Sequence, residues 1–285
     1  MKNLGIIGLG LIGGSMAIDL KRKGFAKTVL GVDADPVNAA AAEKIGLVDR
    51  LVGLEECIDQ SDVIILAVPV DAAMKLLPRV LDRFAETEAK DKLIMDVCST
   101  KEMLACCVKY HPKRKMYVAS HPMSGTEYSG PWAALPGLFD GRACIICDSE
   151  ESDHKAVRVV ENLYTTLNMR VIFMNSSSHD VHTAYVSHVS HVISFALAQT
   201  VLEKEKDEKH IFDLASGGFS STVRLAKSGA DMWTPILLQN GDNVLHVMDT
   251  YIEKLNAFRK AIVDGDEDTV RRLIEEANKI RRIIR

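Results

Sequence analysis

Up to about residue 175, short apolar runs alternate with helical patterns. The runs are Leu4–Ile7, Thr28–Val32, Val63–Val68, Leu93–Val97, Met116–Ala119, Ala143–Cys147 and Arg170–Phe173. Short strands separated by helices predict βαβ units and a largely parallel sheet, with the last strands antiparallel. After Asn175-Ser176-Ser177-Ser178 the character changes, and nothing from His179 to Arg285 reads as a strand. Val244, Met248, Tyr251, Leu255 and Phe258 recur at helical steps, as do Val270, Leu273, Ile274, Ala277, Ile280 and Ile284. Asp264-Gly265-Asp266 separates the two stripes and predicts a helical hairpin. The expected architecture is an α/β Rossmann-type dinucleotide-binding domain over 1–175, followed by an all-α domain over 176–285. Apolar stripes of this kind build a core, and in a small helical domain they also favour a homodimer. Glu203 to His210 reads as a solvated charge run.

Composition narrows the classes. A chain of 285 residues, 47% hydrophobic, is long enough for two cores. Its formal charge of −4 supplies no basic stripe for nucleic acid, so an anionic substrate needs a local cation. The chain runs from Met1 directly into the first strand without a signal-type segment, and no apolar run reaches membrane-spanning length. A cytoplasmic protein is expected, with no membrane partner. The 6 cysteines include Cys144 and Cys147, spaced C-x-x-C but inside a strand, where they face opposite ways; reduced structural thiols are expected.

Gly8-Leu9-Gly10-Leu11-Ile12-Gly13 joins the first strand to an apolar helix, the context a dinucleotide fingerprint requires. Gly8 allows the tight turn, Gly10 the close approach of backbone to pyrophosphate, and Gly13 the packing of helix on strand. The second strand ends at Val32-Asp33, where a carboxylate can accept hydrogen bonds from the adenosine ribose. No arginine follows in Asp33-Ala34-Asp35-Pro36 to hold a 2′-phosphate, so NAD is expected rather than NADP. Val68 and Pro69, in Ala67-Val68-Pro69-Val70, are placed near the nicotinamide side of the crevice.

His121 heads the run His-Pro-Met-Ser-Gly-Thr-Glu-Tyr-Ser-Gly (121 to 130) after an apolar strand. It reads either as a capped loop histidine or as a base working near neutral pH. Ser99, in Asp96-Val97-Cys98-Ser99-Thr100-Lys101, lies at another strand end, either as a helix cap or as a hydroxyl orienting the imidazole. No G-x-S-x-G elbow points to a hydrolase.

These segments together resemble the prephenate dehydrogenase family, which includes arogenate dehydrogenases, of tyrosine biosynthesis. The resemblance rests on GLGLIGGS (8 to 15), AVPVDA (67 to 72), DVCSTK (96 to 101), HPMSGTEYSG (121 to 130), HDVHTAYVSHVSH (179 to 191) and GGFSSTVRLAKSGADMWTPILLQN (217 to 240). It implies NAD-dependent oxidative decarboxylation of prephenate to 4-hydroxyphenylpyruvate and CO2, or of arogenate to tyrosine. It implies that His121 takes the ring hydroxyl proton, that Ser99 orients His121, and that His191, Arg224 and Trp233 contribute the helical side of the substrate pocket. Thr126 and Glu127 line it. A planar guanidinium at Arg224 suits a carboxylate, although an arginine on a helix is otherwise ordinary surface. The family segment S-H-L-P-H reads Ser187-His188-Val189-Ser190-His191 here, without the proline. No regulatory or mutase domain is expected beyond Arg285.

Two other functions are weighed. A β-hydroxyacid dehydrogenase shares the layout but resembles enzymes with a lysine early in the second domain, and none occurs from Val171 to Glu203. A non-catalytic NAD-binding protein would leave Ser99, His121, His191 and Arg224 without purpose. No metal site is expected: on a continuous helix, His182 and His191 point about 180° apart at ~100° per residue.

Overall fold

The computed structural model describes residues 2–206 and 211–283. The last member of the second stripe, Ile284, and the end of the charge run, 207–210, lie outside the described residues. Eight strands form one sheet: β1 (Lys2–Ile7), β2 (Ala26–Val32), β3 (Arg50–Leu51), β4 (Val63–Leu66), β5 (Leu93–Asp96), β6 (Tyr117–Pro122), β7 (Ala143–Cys147) and β8 (Arg170–Met174). Their order is β3-β2-β1-β4-β5-β6-β7-β8. All neighbours are parallel except β6 and β7. The antiparallel turn expected near the end of the sheet therefore falls at β7. The two-residue β3 is too short to register in the apolar pattern.

The helices are α1 (Leu11–Arg22), α2 (Pro36–Lys44), α3 (Leu54–Gln60), α4 (Val70–Glu86), α5 (Glu102–Cys107), α6 (His154–Thr166), α7 (Ser176–Thr183), α8 (Val189–Glu205), α9 (Gly217–Thr222), α10 (Ala230–Gln239), α11 (Gly241–Asp264) and α12 (Glu267–Ala277). Side chains alternate across the strands, and this sorts the core into two layers. Leu4, Ile6, Val63, Ile65, Leu93 and Met95 pack with Met16 and Leu20 of α1 and Val160 and Leu163 of α6. Ile7, Ile64, Leu66 and Ile94 pack with Ile58 of α3 and Leu77, Leu81 and Phe84 of α4. A one-residue slip of any central strand would exchange these sets, so burial fixes the register. Cys144 and Cys147 fall in opposite layers and both are free thiols, as their spacing on a strand predicts.

Polar caps set where several helices begin. Asp35 accepts from Val37 N at 2.8 Å before α2, Asp153 from Lys155 N at 2.7 Å before α6, and Asn175 from Ser178 N at 2.7 Å before α7. From Ser176 onward no strand occurs among the described residues. The chain forms two compact units, Met1–Asn240 and Gly241–Arg285. The second is the helical hairpin read from the two stripes. Gly265 sits at its turn with φ +65, and Asp266 caps α12 by accepting from Thr269 N at 3.0 Å. No helix of the described residues is long and apolar enough to cross a membrane.

Candidate active site

In the first unit, the strand order reverses between β1 and β4, and such a switch point opens a crevice at the carboxyl ends of the strands. Gly8 stands there at φ +98, and a Cβ on it would lie 2.3 Å from Ala67 O. The loop after β1 and the loop Ala67-Val68-Pro69 after β4 are thus in contact, and only glycine permits it. A Cβ on Gly13 would lie 2.0 Å from Gly8 O, so helix and strand also touch through backbone alone. At Gly10 an added Cβ would find nothing nearer than 4.0 Å, leaving the backbone surface open. Gly10 is also the N-cap of α1 and offers no side-chain acceptor to the first-turn N–H groups of Leu11, Ile12 and Gly13. Leu9 N donates to Asp33 Oδ2 at 2.8 Å, and Asp35 N to Asp33 Oδ1 at 3.0 Å. The Asp33 carboxylate is therefore held at the end of β2, beside the fingerprint, with lone pairs to spare. An uncapped helix end, an open glycine backbone and a fixed carboxylate fit the diphosphate and ribose of a dinucleotide.

His121 lies within β6, one residue before its end, paired with Ile145 and nearly buried. Its Nδ1 is 2.8 Å from His179 Nε2, and His179 Nδ1 is 2.7 Å from Asp180 Oδ1. Asp180 also accepts Lys101 N at 2.8 Å and Glu102 N at 2.9 Å. A carboxylate only accepts, so His179 carries its proton on Nδ1 and presents a bare Nε2. His121 must then carry its proton on Nδ1, leaving Nε2 as a lone-pair acceptor. That Nε2 has no hydrogen-bond partner among the described residues and, unlike His188 Nε2 and Trp233 Nε1, is not sealed away. Burial holds the His121 imidazole well below the usual histidine range, with His179 and the Lys101 ammonium adding to the effect. The His121 imidazole is therefore neutral at neutral pH.

Behind His121 lies a closed polar network. Lys101 and Asp96 form a fully buried ion pair, and Lys101 Nζ also donates to Ser120 O at 2.8 Å. Tyr117 OH donates to Asp96 Oδ1 at 2.7 Å, and Ser120 Oγ to Asp96 O at 2.6 Å. Burial alone would push the Lys101 ammonium down, yet Asp96 beside it more than offsets this and the net shift is upward. The network ties the end of β5 to the residue preceding His121. Ser99, half-buried in the loop after β5, makes no hydrogen bond with His121. The group bonded to the imidazole is His179.

Helices α7 and α8 are joined by a π-helical turn, Ala184–His188, and α8 continues from Val189 with Ser190 in its first turn. His191 Nδ1 bonds Ser187 O at 3.0 Å, and the Trp233 indole lies flat on its ring, centroids 3.4 Å apart at 23°. His188 stands edge-on to the same indole at 5.9 Å, and burial lowers its pKa to about 4. Asn240 Nδ2 donates to Asp180 O at 2.7 Å and bonds His188 Nδ1 at 3.0 Å. Contacts thus run unbroken from His121 to His191. Arg224 opens a 3-10 turn packed on α8, and Ser194 Oγ fastens the preceding Thr222 O at 3.1 Å. Its guanidinium, half-exposed, pairs with Glu127 Oε2 at 3.2 Å, while Thr126 Oγ1 accepts Tyr128 N at 3.2 Å. Thr126 and Glu127 leave the same strand end as His121.

The family model for the nucleotide-binding domain of prephenate dehydrogenase matches residues 16–173, and the model for its dimerization domain matches 175–276. The chain belongs to the prephenate dehydrogenase family. It is 31% identical to prephenate dehydrogenase of Bacillus subtilis (strain 168), over 97% of this chain and 74% of that one. It is 29% identical to cyclohexadienyl dehydrogenase of Zymomonas mobilis, over 98% of this chain and 95% of that one. Among solved structures, prephenate dehydrogenase from Aquifex aeolicus in complex with hydroxyphenyl propionate and NAD+ superposes with a TM-score of 0.88 at 28% identity. That match covers 100% of this chain and 99% of the other.

Sequence reasoning passed over His179 and Asp180 as site residues. It also passed over Lys101, Asp96 and Asn240. All fall at the ends of family motifs, DVCSTK, HDVHTAYVSHVSH and GGFSSTVRLAKSGADMWTPILLQN, and that adjacency was the available signal.

Proposed function

We propose that this family member is an NAD-dependent dehydrogenase that converts prephenate to 4-hydroxyphenylpyruvate, CO2 and NADH in tyrosine biosynthesis. The observation carrying this reading is the bare Nε2 of a neutral, buried His121, oriented by His179 and Asp180. Gly8–Gly13 and Asp33 would hold NAD+, with Val68 and Pro69 on the nicotinamide side of the crevice, and the cofactor would supply the hydride acceptor. His121 Nε2 takes the proton of the ring hydroxyl as the carbon bearing it loses hydride, and the ring carboxylate departs as CO2. Aromatisation drives the step, and a positioned base contributes roughly 10²–10⁴ in rate. Arg224 holds a substrate carboxylate, exchanging Glu127 for it. His191 and Trp233 form the wall, with Thr126 and Glu127 opposite. Ser99 stays in the proposal as a half-buried hydroxyl after β5.

The proposed domain division is 1–175 for the cofactor and 176–285 for substrate binding and dimerisation. It is supported by the junction of the two family models and by the Asn175 cap. A homodimer belongs to this reading, since α11 and α12 leave Ile252, Leu255, Ile262, Val263 and Ile274 exposed. A cytoplasmic location is proposed because all described cysteines are free thiols and the chemistry needs NAD.

A second reading, arogenate as substrate, is favoured by the similarity to a cyclohexadienyl dehydrogenase. Purified protein with NAD+ and either prephenate or arogenate, followed by NADH absorbance with NADP+ as control, separates the two. Turnover of neither substrate by protein that binds NADH would overturn the proposal.

A further inference from the structure

The connection between β6 and β7 is a compact loop closed at its base, where Ser124 Oγ donates to Leu138 O at 2.7 Å. Its returning arm is strapped to α1, the helix that opens at the fingerprint. Leu135 N donates to Ser15 Oγ at 3.0 Å and Gly137 N to Asp19 Oδ2 at 2.8 Å, and both acceptors are buried. The Ala134 methyl sits 2.7 Å from where a Cβ on Gly14 would stand. At the tip, the 3-10 turn Pro131–Ala133 packs against α1 and α2. Gly130 before it has φ +79 and ψ 176, a conformation essentially restricted to glycine. A Cβ on Gly10 would find Gly130 N at 4.0 Å, and one on Gly130 would find Asn38 Oδ1 of α2 at 3.7 Å. The tip therefore stands over the open backbone of Gly10 and beside the helix that follows Asp33. Gly130 N–H has no acceptor among the described residues.

Resting on the reading of Gly8–Gly13 as an NAD cradle, we propose that Ser129–Pro131 forms the outer wall of that cradle. Gly130 is then a cofactor-positioning residue whose N–H joins those of the first turn of α1 as a donor to the diphosphate. A dianionic diphosphate held on one side by a helix end gains from a donor on the other. Glycine is required because φ +79 with ψ 176 is strained for any side chain, whereas Asn38 would meet a Cβ only at an ordinary contact distance. The same loop carries Thr126 and Glu127, so the strap on α1 sets the cofactor wall and the Glu127–Arg224 contact from a single anchorage.

The test uses the whole chain and two probes, NADH and ADP-ribose, which share the adenosine diphosphate half. Affinities are measured by fluorescence and calorimetry for wild type, Gly10→Ala and Gly130→Ala. Amide exchange over 129–132 of wild type is followed with and without ADP-ribose. Alanine is strained at φ +79 and ψ 176 and turns the N–H away from the diphosphate, so the proposal expects Gly130→Ala to weaken both ligands alike, by about tenfold, the worth of one charge-assisted hydrogen bond. It also expects ADP-ribose to slow exchange at the tip, a readout independent of whether the variant folds. Unchanged exchange in wild type, or wild-type affinities in a folded Gly130→Ala, overturns it while the cradle stands. Wild-type affinities in Gly10→Ala, where a methyl fits the fold but blocks the ligand, would remove the cradle itself.

Discussion

Replacing His179 by leucine, close in volume but without polar atoms, isolates the orienting role. Two hydrogen bonds disappear, at 2.8 Å to His121 and 2.7 Å to Asp180. Asp180 keeps its two backbone donors, Lys101 N and Glu102 N, so its charge stays solvated by the fold. His121 Nδ1–H is stranded in a buried site, costing roughly 1–3 kcal/mol of stability. With nothing to hold the Nδ1–H tautomer, the imidazole populates orientations and tautomers that present no lone pair to the substrate. A base of this kind contributes roughly 10²–10⁴ in rate, and a wrong tautomer forfeits most of that. His179→Leu should lose on the order of 10²–10³ in kcat while the NADH dissociation constant stays unchanged. His179→Gln offers a carbonyl oxygen to His121 and an amide N–H to Asp180, and should recover to within about tenfold of wild type. The assay is steady-state NADH formation with saturating prephenate, alongside NADH binding and a melting curve. A folded leucine variant with kcat within about threefold of wild type would refute the orienting role, as would a glutamine variant no better than leucine.

Other consequences are equally direct. Because burial depresses His121, its neutral form persists below the ordinary histidine range, so kcat/KM should stay level as pH falls through about 6.5 and decline only at more acid pH. Stability should behave oppositely. His121, His179, His188 and His191 are all depressed in the fold, so the unfolded chain binds protons first, and Tm should drop as pH falls below about 6.5. Lys101→Met leaves Asp96 buried and uncompensated and should cost about 3–5 kcal/mol, read by chemical denaturation. Arg224→Gln should raise KM for prephenate by roughly 10–100-fold with NADH binding unchanged, the loss expected of a charge-assisted carboxylate contact. Asp33→Asn should lower kcat/KM for NAD+ by about tenfold and narrow its lead over NADP+, in parallel assays with each cofactor.

The local patterns along the chain determined much of this protein. Strand and helix identity follow from periods of two and about 3.6, and the fingerprint glycines from steric needs that act within a few residues. Asp33, the hairpin turn at Gly265 and the opposed faces of Cys144 and Cys147 are of the same local kind. His121 was legible because a chemically able side chain closes a strand at the crevice edge of a parallel sheet. What faces its Nδ1 was not legible, because His179 comes from a helix that follows two further strands, and only packing brings it within 2.8 Å, with Asp180 behind it. Ser99, nearer in sequence and equally able to donate, is not the bonded partner. The buried pairing of Lys101 with Asp96, the π-helical turn Ala184–His188 and the stacking of Trp233 on His191 are likewise products of folding. Sequence supplies the residue types and local geometry; long-range hydrogen bonds set tautomer, depth and partner, since those depend on which surfaces the tertiary structure removes from water.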